Sequence, residues 1–100
     1  MIVYNVTSGV DKAVEVEWLQ WMKEVHLPQI MKTGMFVSYK FYKVLSGDDQ
    51  TSVSYAVQFM APSMNNIEKY LDKFAPQLRN ETKKRFNLSV TSFRTLLQEI

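Results

Sequence analysis

The chain has no cysteine among its 100 residues. Disulfides, thiolate metal sites and a cysteine nucleophile are therefore excluded. Three glycines in all form neither a glycine-rich phosphate loop nor a Gly-x-Ser-x-Gly elbow. The single histidine leaves no pair with metal-ligand spacing. Nucleotide, flavin and metal dependence have no support in the sequence, and no cofactor is expected. No apolar run approaches the roughly 18 residues of a membrane span. The start, Met1-Ile2-Val3-Tyr4-Asn5-Val6, lacks the basic segment of a signal peptide. The expectation is a cytoplasmic protein with no membrane association. A net charge of +2 is too small to imply a nucleic-acid partner. The one basic cluster, Arg79, Lys83, Lys84 and Arg85, is diluted by Glu81 and reads as a solvated helix end, or else as a weak anion or partner contact.

What the chain does have is the same unit twice. Each half reads as strand, helix, strand, and each helix meets a proline late in a matching context. These are His26-Leu27-Pro28-Gln29-Ile30 and Phe74-Ala75-Pro76-Gln77-Leu78. A 46% hydrophobic, 22% charged composition over this length suits one folded domain spanning residues 1–100.

Residues 2–8 alternate as a strand, with Gly9-Val10-Asp11 as a turn and Asp11 placed to cap a helix. Residues 12–26 carry helical periodicity, with Val14, Trp18, Met22 and Val25 at the centre of an apolar face. Leu19 and His26 flank that face on one side and Trp21 on the other, while Glu17, Gln20 and Glu24 lie opposite. Pro28 should end or kink this helix near Leu27, with a short turn over 29–32 and Gly34 in a left-handed terminating position. The second strand is expected over 35–46, with Val37, Tyr39, Phe41 and Leu45 on one face. A polar connection over 46–50 leads to a third strand over 51–61, alternating through Val53, Tyr55, Val57 and Phe59. Ser63 can cap the second helix, which carries Ile67, Tyr70, Leu71, Phe74 and Leu78 and restarts at Pro76. Residues 88–98 form the last strand, with Leu88, Val90, Arg94 and Leu96 on one face.

The order βαββαβ implies an α+β ferredoxin-like plait: a four-stranded antiparallel sheet with both helices on one face. The uncovered face should then be polar. Yet the adjacent pairs Ile2/Val3, Phe36/Val37 and Phe41/Tyr42 place apolar groups on both sides. Four strands of about eight residues present on the order of 500 Å² in projection, as much as the largest apolar patch on a typical monomer. A homodimer packed through the sheet face is the expected remedy, giving a dimeric α/β barrel.

His26 is the one side chain whose ordinary pKa, about 6.5, suits proton transfer near neutral pH. Its repeat counterpart is Phe74, so a histidine stands where the other half keeps a core residue. It reads either as a general base at the rim of an apolar pocket or as a histidine satisfied by one protein partner. Trp18 and Trp21 are three apart on the helix and read as core, with Trp21 also suited to a ligand cavity or an interface. Asn5, in a strand that the topology makes central, could orient a ligand or bridge to a loop. Arg94 could bind an anion or pair with a carboxylate. Tyr39 and Tyr55 could supply phenolic donors or simple packing.

Two stretches carry a resemblance: Trp18-Leu19-Gln20-Trp21-Met22-Lys23-Glu24-Val25-His26-Leu27-Pro28 with Thr33-Gly34-Met35-Phe36, and Tyr55-Ala56-Val57-Gln58-Phe59. Tyr70-Leu71, Ala75-Pro76-Gln77-Leu78-Arg79 and Phe93-Arg94-Thr95-Leu96-Leu97 extend it. Together they resemble a small uncharacterised bacterial family, a domain of unknown function common in Bacteroidetes, over essentially the whole chain. More distantly the fold resembles the dimeric α/β-barrel superfamily. That group includes cofactor-independent monooxygenases, muconolactone isomerase-like enzymes and stress-responsive barrel proteins. The resemblance implies a site between helices and sheet, near His26, Asn5 and Trp18. Three functions compete: a cofactor-independent enzyme with His26 as base and Asn5 or Arg94 on an oxyanion, a non-catalytic binder of a hydrophobic or aromatic ligand, and a protein-interaction module. The first requires a cavity of some 300 Å³ or more beside His26.

Overall fold

Strict alternation over residues 52–61 builds the centre of the sheet. Val53, Tyr55, Val57, Phe59 and Ala61 are all buried and the residues between them half-buried. The structure, a computed structural model, describes residues 1–47 and 49–100. Its elements are β1 (Ile2–Asp11), α1 (Glu15–Trp21), α2 (Leu27–Lys32), β2 (Ser38–Lys43), β3 (Ser52–Ala61), α3 (Met64–Lys73), α4 (Ala75–Phe86) and β4 (Val90–Gln98). One sheet runs in the order β2-β3-β1-β4, with every pair antiparallel. Each helical crossover skips one strand, which is the ferredoxin-like plait expected from the element order. No helix among the described residues is long and apolar enough to cross a membrane.

The register sorts the faces. Tyr4, Val6, Ser8 and Val10 of β1 share the inner, helix-covered face with Phe59, Val57, Tyr55 and Val53 of β3 and with Leu96, Arg94, Ser92 and Val90 of β4. Trp18, Phe59, Leu27 and Ile67 are the largest fully enclosed side chains and lie between sheet and helices. Asp11 caps as expected, its side chain accepting from the Ala13 N–H at 2.9 Å. Ser63 likewise accepts from Asn66.

Four expectations need correction. First, Gly9 and Val10 continue β1 instead of turning, because β3 and β4 both supply partners there: Ser54 and Thr91 for Gly9, Val53 and Val90 for Val10. Second, β2 is shorter than residues 35–46. As an edge strand it has one neighbour, Phe36 turns inward to stack on Tyr4 at 6.0 Å, and Leu45 is 89% exposed. Of the expected connection over 46–50, Asp48 lies outside the described residues. Asp49 shapes the entry into β3, accepting from the Thr51 and Ser52 N–H groups. The backbone hydrogen bond from Ser52, then that from Thr51, holds its carboxyl at about 2.

Third, of the two outcomes expected at Pro28, an end or a kink, the helix does not end. The chain passes from α1 into a π-helical turn, Met22–His26, and straight on into α2, with the Leu27 N–H bonding the Met22 carbonyl five residues back. In a regular helix the Pro28 ring would meet the carbonyl of Glu24; the wider turn relieves that conflict. Fourth, the turn absorbs one extra residue, so the apolar stripe shifts by one. Val25 faces solvent and Leu27 takes the core position. The second proline is accommodated differently: α3 stops at Phe74, where φ is −119°, and Pro76 opens α4. Gly34 does adopt the expected left-handed conformation, with φ +77°.

The outer sheet face is mixed. Asn5, Thr7, Gln58, Thr95 and Lys40 lie on it beside Val3, Met60, Leu97, Phe93 and Tyr42.

Candidate functional site

The inner-face alternation of β1, β3 and β4 and the inward sides of the helices enclose a cavity of about 280 Å³. This is slightly below the roughly 300 Å³ at the lower end of small-molecule sites. Val6, Val57, Trp18, Met22, Ile30 and Val90 give it an apolar body. His26 contributes its ring from the π-helical turn, and Ser8 and Ser92 pair across β1 and β4 with their hydroxyls 2.7 Å apart. Arg79, Lys83, Asn87, Leu88 and Arg94 are the exposed members of the wall and mark its mouth, at the end of α4 and along β4. Asn87 has φ 50° and ψ −125°, a conformation that costs a non-glycine residue about 1–3 kcal/mol.

His26 is held in place by a ring stack on Trp21, with centroids 4.6 Å apart. Its Nδ1 is buried and has no hydrogen-bond partner among the described residues. Burial, followed by the charge of Arg94, lowers its pKa to about 4, so the imidazole is neutral at physiological pH. Burial, then the neighbouring Tyr4 hydroxyl, pushes the Tyr70 phenol well above its ordinary range, while Arg79 and Arg94 pull it the other way. Tyr70 therefore stays protonated and can donate. Arg79 donates from Nη2 to the Tyr4 hydroxyl at 2.9 Å.

Of the residues singled out in the sequence, the fold brings His26, Trp18 and Arg94 to one cavity. The remaining four lie elsewhere. Asn5 is on the outer sheet face, where its amide donates to Thr7 at 3.0 Å. Trp21 lies behind His26, against Phe86. Tyr55 donates to Glu15 and packs on Trp18. Tyr39 leans on Phe59 from edge strand β2. Arg94 has no carboxylate partner among the described residues, where the one ion pair joins the Met1 ammonium to Glu99. No group of His, Asp and Glu among the described residues is arranged to hold a metal ion.

Sequence reasoning missed Tyr4, Ser8, Tyr70, Thr82, Asn87 and Ser92, and it read Arg79 and Lys83 as a solvated helix end or a weak anion or partner contact without placing them at this cavity. A signal for some of them was present. Leu78, Arg79, Thr82 and Lys83 fall at spacings of three and four on one side of α4, so part of the basic cluster borders the cavity mouth while staying exposed.

The chain adopts the fold of several small α+β proteins. HapK from Hahella chejuensis is 8% identical with a TM-score of 0.72, the match covering 100% of this chain and 93% of that one. A protein of the ethyl tert-butyl ether d (EthD) family from Bacillus halodurans is 10% identical with a TM-score of 0.72, each chain covered fully. A dimeric ferredoxin-like protein from an uncultured marine organism is 10% identical with a TM-score of 0.53, over 99% of this chain and 98% of that one. At such identities the likeness establishes the fold. The family model that matches residues 1–100 is a domain of unknown function, DUF4286, and the chain belongs to that family. A comparison with curated proteins gives no match.

Proposed function

We propose that this protein is a homodimer whose protomers each bind a small, largely apolar or aromatic molecule between sheet and helices, with His26 as the general base of a cofactor-independent reaction. The observation that carries the reading is the cavity itself: an apolar chamber bordered by a neutral histidine that no group among the described residues hydrogen-bonds at Nδ1. A buried polar atom left unpaired costs about 1–3 kcal/mol, so Nδ1 calls for a partner, which a polar group of a bound molecule or an ordered water would supply. A pKa near 4 makes His26 available but weakly basic; general bases work best near the operating pH. Negative charge brought in by a ligand would offset the Arg94 field and raise it.

Dimerisation through the outer sheet face is supported by Phe93, Leu97 and Tyr42, which are 63%, 43% and 45% exposed there.

The test is native mass spectrometry of the protein as purified, with ligand screening against wild type and His26→Phe. A ligand that binds both but is transformed only by wild type supports the catalytic reading. Binding to both with no transformation by either leaves a non-catalytic binder. No ligand for either would refute the site.

A further inference from the structure

We propose that the cavity takes a small organic acid, with its carboxylate on Arg94 at the mouth and its apolar body against Trp18, Met22 and Val57. This deepens the ligand-site reading above and rests on it. Three cationic side chains, Arg79, Lys83 and Arg94, lie in the wall, and no aspartate or glutamate among the described residues does. Arg79 is engaged by a neutral acceptor, the Tyr4 hydroxyl, so its charge is uncompensated. Arg94 is free of any ion pair among the described residues.

The placement of Arg94 argues against a merely solvated surface charge. Its register partner is Val6, which puts it on the inner face of β4 in line with Val90 and Ser92. Its charge acts on both His26 and Tyr70, which come from different helices. An anion held there would sit among a phenol donor, a neutral imidazole and the Ser8–Ser92 hydroxyl pair. A guanidinium fork matches a carboxylate through two parallel hydrogen bonds. Beyond Arg94 the chamber is bounded mainly by Trp18, Met22, Ile30 and Val57, a lining that suits a hydrocarbon or aromatic body better than a fully hydrated ion such as inorganic phosphate.

The experiment titrates the intact protein with matched acid and amide pairs: benzoate and benzamide, phenylacetate and phenylacetamide, cinnamate and cinnamamide. Binding is read by calorimetry. For at least one pair the acid should bind about tenfold or more tightly than its amide, the scale of a charged hydrogen bond. Arg94→Met should abolish that preference and leave the amide affinity within about twofold. Lys83→Met, at a solvent-screened position, should weaken the acid by only a few-fold.

Equal affinity for acid and amide would overturn the anion proposal while leaving the ligand site standing. Binding of neither member of any pair would overturn both. A preference that survives Arg94→Met, or inorganic phosphate competing as well as the acids, would also overturn it. The comparison of acid with amide on wild type does not depend on any variant folding.

Discussion

The indole of Trp21 lies against the imidazole of His26, centroids 4.6 Å apart and planes 19° from parallel. These residues are five apart, and on a regular α-helix they would project about 140° from one another. The π-helical turn Met22–His26 brings them into line. Such turns often accompany functional positions. Here one extra residue accommodates Pro28, turns Val25 out to solvent and sets the histidine ring into the cavity wall.

The buried histidine should make stability depend on pH. Its folded pKa of about 4 lies below the ordinary 6.5, so the unfolded chain binds this proton more readily. The contribution is fully present above pH 6.5 and is lost as pH falls from about 6.5 to about 4. The whole loss is roughly 3 kcal/mol. Urea denaturation at pH 7.5 and 4.5 should show most of it in wild type, and His26→Phe should flatten the difference.

Deleting Glu24 should return the first helix to regular spacing and set Pro28 against the carbonyl of Lys23. The expected destabilisation is about 3 kcal/mol. Adding Pro28→Ala to the deletion should recover most of it. Denaturation midpoints of the two variants decide the matter; equal losses would mean that the π-helical turn is not a response to the proline.

Phe93 should anchor the dimer. Phe93→Asp places a charge on the outer sheet face, on edge strand β4 opposite Thr7, and should give a monomer by light scattering, with the helical circular-dichroism signal retained. A wild-type protein that is monomeric at about 100 μM, a concentration at which obligate dimers remain associated, would rule out this interface.

Gly34 has φ +77° and open space around its Cα. Gly34→Ala therefore meets no clash, and its effect is backbone strain alone, about 1 kcal/mol of destabilisation. Gly34→Asn should lose less, because asparagine tolerates this conformation. Thermal melts of the pair would check the order.

Much of the architecture was legible because it rests on local periodicity. The alternation through Val53, Tyr55, Val57 and Phe59 and the capping by Asp11 and Ser63 are written into neighbouring residues. Where the reading failed, two parts of the chain competed for one position. Gly9 looks like a turn until two strands claim it. Val25 belongs to the apolar stripe only while the helix keeps a regular pitch. Asn5 looks like a ligand contact because its strand is central, yet parity sends it to the outer face, opposite His26.

The order of elements and the alternation of β1, β3 and β4 were determined by the sequence alone, since hydrophobic periodicity selects helix or strand and one buried face. The composition of the cavity wall was decided only by tertiary structure. His26, Arg94, Tyr70 and Arg79 come from four elements and share no spacing in the chain. Pairing of β1 with β4, 84 positions apart at Ser8 and Ser92, brings the arginine strand under the helices. Such a contact depends on which strands pair and in what register, and no local pattern encodes that.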